Sequence, residues 1–462
     1  MFLERNQRPS SDGYDAIVIG SGPAGMTVAM ELDDAGRRVL LLESEYGDGD
    51  PALSIGYGSL SGDYWNAHWL RALGGTSAAW AGWVATLREI DFDHPNAGAS
   101  WPITRADLDP YYRRAAPIIN RHPTVFDFER AVVPGWLHRP FSLQPPTRFG
   151  ERYYGTLSRS KRIDVALGYS AVGFDATRSR SALTAVHLFD HRTKTRFSLP
   201  VRATQAVVVA AGGIGNAQLL LQPTPDGPPI GNESGHVGKY LMEHPHVYGA
   251  GECVTDLNFG RYAPPGRFGR AAPALVPDNA LEAEHQLLGC SLEFDRPTTE
   301  GPVVAQWSTP DRRFTLYRLV VRSEMRPTAA NSVEITAEES QSGLHRVAAR
   351  CVFDADDLRN IENTIRLLGE TLIRLNRGRV RVNNDAIYRD ATGGGHIMGT
   401  TRMGRTPSSS VVNEHCRVHG YRNFFVAGSS VFPTAGYANP TFTIVALAVR
   451  LADDLVRSAG SV

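Results

Sequence analysis

Residues 15–25 read DAIVIGSGPAG and residues 38–43 read RVLLLE. Asp15–Gly20 is an apolar run closed by glycine, the pattern of a buried parallel strand. Pro23–Ala35 reads as a helix that Gly36 ends, and Arg38–Glu43 as a second buried strand. Together they make one βαβ unit. Gly20, Gly22 and Gly25 stand in G-x-G-x-x-G spacing between the strand and the helix. Gly20 permits the tight turn, Gly22 lets the backbone approach a pyrophosphate, and Gly25 allows close helix–strand packing. Glu43 ends the next strand, 23 residues after Gly20, where a carboxylate meets the ribose hydroxyls of an adenosine. A bare glycine triplet also fits an ordinary turn; strand, helix and acid in sequence make it a dinucleotide site. The unit alone does not separate FAD from NAD.

The rest of the chain narrows the class. Among 462 residues, Lys+Arg and Asp+Glu balance at 48 each, so no basic face for nucleic acid is expected. Met1–Gly13 is polar, which argues against a secretory leader. The longest apolar runs, such as Phe442–Leu451, are too short to span a bilayer. Cys253, Cys290, Cys351 and Cys416 lie far apart with no CxxC pair, so buried reduced thiols and a cytoplasmic location are expected, without a disulfide or zinc site.

Gly47–Gly75 is rich in Gly, Ser and Asp and reads as a long functional loop. Trp101–Gln144 reads as an irregular, proline- and aromatic-rich cap. Gln205–Val209 is another buried strand, followed by a glycine turn and short helix in AAGGIGNAQLLL (Ala210–Leu221) and a surface linker at Gln222–Gly235. Phe314–Ser323 and Ser332–Thr336 are expected as strands of one half-exposed antiparallel sheet. Asp354 caps a helix whose apolar stripe is Leu358, Ile361, Ile365, Leu368, Leu372 and Leu375, with Gly378 as its stop. After Ala391 the glycine-rich style of the first unit returns.

Two distant segments decide the cofactor. Leu73–Trp83 reads LGGTSAAWAGW; the C-terminal part carries HIMGTTRMG (His396–Gly404) and VVNEHCRVHGYRNFFVAGSSVFPTAGYANPTFTIVALAVRLAD (Val411–Asp453). With VGKYLMEHP (Val237–Pro245), these stretches closely resemble the glucose–methanol–choline family of FAD oxidoreductases. Within that family the sequence looks most like the branch of pyranose oxidases and bacterial sugar and glycoside oxidoreductases. In the middle the likeness is one of pattern, as in Glu324-Met-Arg-Pro327 followed by Asn331-Ser-Val333.

The resemblance implies FAD, with Gly74, Gly75, Thr76, Ser77, Trp80, Gly428, Ser429 and Thr441 joining Gly20, Gly22, Gly25 and Glu43 as cofactor contacts. Asn423–Ala427 reads as a buried strand. The helix that starts near Pro440 presents a positively polarised N-terminus, which the resemblance aims at the flavin. It also implies the catalytic pair: His396, opening H-x-x-G-T-x-R-M-G, as base, and Asn439 as its partner. Oxidation of an alcohol by hydride transfer needs the hydroxyl proton to leave, which a neutral imidazole accepts. Asn439, just before Pro440, is equally placed to cap the following helix. Trp80 and Trp83 either line the flavin or simply pack. His244 and His246 offer metal-ligand chemistry, but the proline between them and the lack of a companion cluster favour a structural turn, and no metal is expected. His415 and His419 flank a turn and are expected to be exposed.

Departures from the branch matter. Where its covalent members carry a flavin-linking histidine, this chain has Ala79, which implies non-covalent FAD. Ala81 stands where those enzymes have a threonine, which argues against fast oxygen use.

The expected fold is an α/β Rossmann-type FAD domain, discontinuous over residues 12–100, 151–247 and 388–462. An α+β substrate domain, an antiparallel sheet backed by helices, covers 101–150 and 248–387. The expected activity is oxidation of a hydroxyl of a sugar, glycoside or sugar-like polyol, with oxygen or a quinone-like carrier as electron acceptor and no nucleic-acid or membrane partner. Tyr317, Arg318, Arg322 and Glu324 supply polar character to the middle domain. A flavin monooxygenase, a non-redox lyase on the same fold and a flavin-binding regulator remain as alternatives. NAD(P)H-driven oxygen consumption would mark the first and turnover without flavin change the second; the His396–Asn439 pair speaks against the third.

Overall fold

In the computed structural model, residues 1–4, 7–44, 53–122, 129–139, 141–143, 145–259, 270–272 and 274–459 are described. A five-stranded parallel sheet runs in the order Phe424–Val426, Ala206–Val209, Ala16–Ile19, Val39–Glu43, Ile163–Leu167. Ala16–Ile19 lies at its centre and is fully buried, as are Val39–Glu43, so the first reads as an uninterrupted apolar run and the second as one up to its closing Glu43. The helix Pro23–Asp34 follows the first strand, with Gly36 at φ +80° just beyond its end. It packs against the last helix, Thr441–Ala459. Sheet neighbours are therefore drawn from the two ends and the middle of the sequence.

The second large unit is a seven-stranded antiparallel sheet ordered Gly378–Val382, His246–Thr255, Thr315–Ser323, Cys290–Thr298, Ala274–Pro277, Trp136–His138, Arg130–Val133. The helix Ala355–Arg374 covers it and buries Ile361, Ile365, Leu368 and Leu372 against Leu319, Val321 and Cys253. Asp354 caps that helix as expected, with Asp357 completing a capping box. Leu375 lies past the helix and is exposed.

Several expectations fail for identifiable reasons. Ser332–Glu339 does not join Thr315–Ser323. It pairs with His345–Cys351, which adds Leu53–Gly58 in parallel to form a separate sheet. Its partner is the next strand of a hairpin, and the third member, Leu53–Gly58, comes from nearly 300 residues earlier, where strand pattern carries no information. Gly378 does not stop the helix. The chain leaves at Arg374 through Asn376 in the left-handed region, and Gly378 opens a strand. Trp101–Gln144 contains a helix, Arg105–Ile118, capped by Thr104 with Asp107. Pro110 and Pro117 obscure it, yet T-x-x-D at its start is the overlooked signal. The long loop expected at Gly47–Gly75 contains the strand Leu53–Gly58 and the helix Gly62–Ala67; its part before residue 53 lies outside the described residues. All four cysteines are buried and free. Among the described residues, no helix is long and apolar enough to cross a membrane.

Candidate active site

A cavity of about 1030 Å³ runs between the two sheets, from Gly20, Gly22 and Glu43 at one end to His396, Asn439 and Arg322 at the other. Three helix N-termini open onto it, at Pro23, Gly212 and Thr441. Such ends offer unpaired N–H groups and positive partial charge to a phosphate or another anionic group.

The glycines divide into two kinds. At Gly20, φ is +102° and an added Cβ would stand 2.5 Å from the Ala210 carbonyl oxygen; at Gly25 it would stand 1.9 Å from that of Gly20. These two let the first strand, its helix and the neighbouring strand meet closely. Gly22 has nothing within 4 Å of its Cβ position and Gly428 only Asn216 Nδ2 at 3.9 Å, so both present open backbone to the cavity. Gly75 approaches Gly22 from the other side, with 3.1 Å between its Cβ position and the Gly22 Cα. Gly74 does not line the cavity; it packs on Gly150.

The polar contacts are more specific than the sequence suggests. Glu43 lines the cavity, but its Oε2 accepts from Ser21 N (2.9 Å) and Ser21 Oγ (2.6 Å), so the carboxylate also braces the glycine turn. Ser77 Oγ donates to the Gly74 carbonyl and accepts from Phe149 N, which fixes the loop. Thr76 Oγ1 accepts from Leu70 N. Trp80 Nε1 donates to the Thr147 carbonyl at 3.0 Å while its ring, like Trp83, lines the cavity. Ser429 Oγ donates to the Ile397 carbonyl at 2.6 Å, tying the segment Gly428–Val431 to the one bearing His396.

His396 and Asn439 are brought together. His396 Nε2 lies 2.9 Å from Asn439 Nδ2, and both residues line the cavity. The last helix begins at Thr441, and the Asn439 side chain turns to His396 instead of capping it. Behind His396, its Nδ1 lies 2.9 Å from His244 Nδ1, and His244 Nε2 donates to the Ala435 carbonyl at 3.4 Å. That last bond fixes the proton of His244 on Nε2, so His244 Nδ1 accepts and His396 Nδ1 donates. The lone pair of His396 is thereby left on Nε2, facing Asn439 and the cavity. Burial holds the His396 pKa well below the ordinary 6.5, and the neighbouring His244, His246, Arg322 and His68 press the same way, so the ring is neutral. Burial also lowers His244 to about 4.

A carboxylate that sequence reasoning missed organises this corner. Glu243 is fully buried, and its Oε1 accepts from the backbone N–H of His244 (3.0 Å) and of His396 (2.5 Å). Its other oxygen accepts from the Tyr64 hydroxyl, which in turn accepts from Gly395 N. Burial pushes its pKa up to about 7, against these hydrogen bonds. The premise that His244 and His246 lack a companion does not hold: both are buried and their rings lie 4.9 Å and 5.6 Å from that of His396. Their companion stands some 150 positions away, so spacing alone did not reveal it. His415 is exposed with its Nδ1 2.9 Å from Asp454 Oδ2; His419 is half-buried and bonded to Ser410.

Of the polar residues expected in the substrate region, Arg322 lines the cavity, ion-paired with Glu293 and stacked 4.5 Å over the Trp83 ring. Tyr317 is instead buried against Phe294, Arg318 is exposed, and Glu324 accepts from Gly289 N and Gly436 N. Glu293, Asp295 and Tyr248 complete the polar wall and were not anticipated.

Residues 15–94 match an FAD binding domain and residues 327–448 match the GMC oxidoreductase family. The chain thus carries a GMC oxidoreductase segment in its C-terminal part and an FAD-binding segment near its start. It is a flavoprotein oxidoreductase acting on a CH–OH group, with FAD as cofactor, and the open glycine cradle at Gly22 and Gly428 fits that group. The chain is 27 % identical to 2-methyl-1,2-propanediol dehydrogenase of Mycolicibacterium austroafricanum over 97 % of this chain and 96 % of that protein. It is 25 % identical to paromamine 6'-oxidase of Streptomyces fradiae over 96 % and 92 %. A formate oxidase variant from Aspergillus oryzae RIB40 shares the fold, with TM-score 0.64 and 15 % identity over 98 % of this chain and 99 % of that one.

Proposed function

We propose that this GMC oxidoreductase oxidises a hydroxyl of a sugar, glycoside or sugar-like polyol to a carbonyl, with His396 as base and Asn439 orienting the substrate oxygen. The observation that carries the reading is the buried, neutral His396 with its Nε2 lone pair turned to Asn439 inside the cavity. A base must be unprotonated to accept the hydroxyl proton, and burial keeps it so. The Asn439 amide donates toward the same space, where a developing alkoxide needs a hydrogen bond. FAD, when bound, supplies the hydride acceptor. Gly22 and Gly75 would admit its pyrophosphate and Gly428 its sugar-phosphate region, with Glu43 at the adenosine end. No covalent link is assigned, because Ala79 offers no bonding atom.

The polyol reading is supported by a cavity wall of Glu293, Arg322, Asp295 and Tyr248 and by the diol and paromamine named for the two relatives. An apolar alcohol would leave the desolvated Arg322–Glu293 pair without polar company. We assign residues 12–100, 151–247 and 388–462 to the cofactor domain and 101–150 and 248–387 to the substrate domain. Oxygen or a quinone-like carrier takes the electrons. A monooxygenase has no use for the His396–Asn439 pair. The test is anaerobic flavin bleaching against sugars, glycosides, aminoglycosides and 1,2-diols. Bleaching by one of these supports the reading; bleaching by sterols or fatty alcohols alone defeats it.

A further inference from the structure

Three imidazoles converge behind the proposed base. One ring nitrogen from each of His244, His246 and His396 lies within 4.8 Å of the other two. The His244–His396 contact joins Nδ1 to Nδ1 at 2.9 Å. His246 Nε2 is buried and has no hydrogen-bond partner. It points into the same gap: a Cβ on Gly394 would stand 2.6 Å from His246 Nε2 and 2.6 Å from His396 Nδ1. The glycine keeps that space clear of side chain.

We propose that His244, His246 and His396 form a three-imidazole site for a divalent cation of the zinc class, and that its occupation silences the base. Neutral imidazoles are the preferred nitrogen ligands of such ions, and three protein ligands with one open position is a common arrangement. Zinc–nitrogen bonds of about 2.0–2.1 Å in tetrahedral geometry put ligand nitrogens about 3.3 Å apart. The His244–His396 pair opens slightly to reach that spacing, and His246 closes in from the side. His246, His396 and Gly394 all line the cavity, so a cation entering from it reaches the gap past Gly394. Glu243, bonded to the backbone N–H of both His244 and His396, sets a carboxylate beside the ligand set. Arg322 opposes the added charge, and its ion pair with Glu293 offsets this.

The proton balance is simple. His244 holds its proton on Nε2, at the Ala435 carbonyl, and so presents Nδ1 without change. His246 presents Nε2 with its proton on Nδ1. His396 moves its single proton from Nδ1 to Nε2 as the cation takes the Nδ1 lone pair. No proton leaves and nothing is oxidised. His396 Nε2 then carries a hydrogen and has no lone pair for a substrate hydroxyl proton. Asn439 turns its amide over to meet the new donor, so that Oδ1, buried without a partner in the resting arrangement, takes the place of Nδ2 beside His396 Nε2. This silencing rests on His396 being the base; the binding site does not.

The test uses the FAD-loaded enzyme with Zn²⁺. Zinc-edge anomalous diffraction from soaked crystals locates the ion, and anaerobic flavin reduction by substrate measures its effect. The expected result is one peak among the three rings and a reduction rate that falls as the peak fills. His246→Leu should raise the half-inhibitory Zn²⁺ concentration by more than about tenfold, measured against its own metal-free rate. His246→Asn, which keeps a polar side chain there, is the second variant and should behave alike. A peak only elsewhere, or equal zinc sensitivity in both variants and the parent, overturns the site. A peak at the three rings with an undiminished rate establishes the site and removes His396 from the base role.

Discussion

The Nδ1 atoms of His244 and His396 lie 2.9 Å apart, so only one of them carries a proton. His244 is the acceptor because its Nε2 is committed to the Ala435 carbonyl. This makes His244 a positioning residue that selects the tautomer of the ring in front of it. His244→Phe removes the acceptor and should slow flavin reduction by about 10–100-fold, the usual scale for losing such support. His244→Asn, able to accept through its amide oxygen, should recover part of the loss. Equal rates in the Phe and Asn variants would show that the ring serves packing alone.

His396→Ala should keep its yellow colour, since the side chain faces the substrate end of the cavity. Its reductive half-reaction should fall by about 10²–10⁴-fold. Stopped-flow mixing with a bleaching substrate under nitrogen measures this, and a rate equal to the parent's would dismiss His396 as the base.

The pH profile of that step separates two groups. His396 has its pKa held well below 6.5, so it is neutral above that value and contributes no limb near neutrality. Glu243 is pushed up to about 7. As pH falls through 7 its carboxylate is protonated and loses strength as acceptor for His244 N and His396 N, so the rate should drop on the acid side. Glu243→Gln removes the titrating group, and its profile should be flat between pH 6 and 8. The sign for stability follows separately: the native acid binds a proton up to about 7, the unfolded one only up to about 4.5, so Glu243 costs stability as pH rises through that window. Thermal melts of the parent and the Gln variant should converge at the acid end. A neutral limb that survives in the variant assigns the titration to another group.

Glu43→Ala should weaken FAD retention by about 1–3 kcal/mol, because it removes an acceptor at the adenosine end and frees the Ser21 N–H that Glu43 now holds. The chemistry of the fraction still loaded should be unchanged. Flavin fluorescence during equilibrium dialysis gives the affinity, and an unaltered value would mean that other groups bear the ribose.

Acid precipitation should release all flavin as intact FAD. Ala79 lines the cavity where a linking side chain would stand. Flavin that stays with the polypeptide through denaturing electrophoresis would point to another nucleophile, and His68, on the same wall, would be the first to replace.

Three strands of the parallel sheet, Ala16–Ile19, Val39–Glu43 and Ala206–Val209, were legible because each is an apolar run near a glycine turn, a signal contained in a few adjacent residues; Ile163–Leu167, interrupted by Asp164, was not singled out. That His396 and Asn439 would meet was expected only through family resemblance; a lone histidine or asparagine has no local signature. Glu243 and Glu293 escaped, and His246 was set aside as a turn residue, because their surroundings depend on partners brought up by other segments. Glu243 looks like any polar residue until Tyr64 and His396 fold against it. The strand Ser332–Glu339 was recognised as a strand but given the wrong neighbours, since pairing is a matter of topology and alternation is not.

The strand pairing Val207 with Phe424 and the packing of helix Pro23–Asp34 on helix Thr441–Ala459 have a consequence for biosynthesis. The strand Ala16–Ile19 and its helix Pro23–Asp34 must wait for the residues from Phe424 to Ala459 to be made before the sheet and its helix layer close. A nascent chain released early would expose the apolar edge of Ala206–Val209 and have no floor beneath the flavin. Colour therefore reports translation through the helix Thr441–Ala459: only chains carried that far become yellow, and shorter products should be left to proteases as colourless, unprotected polypeptide.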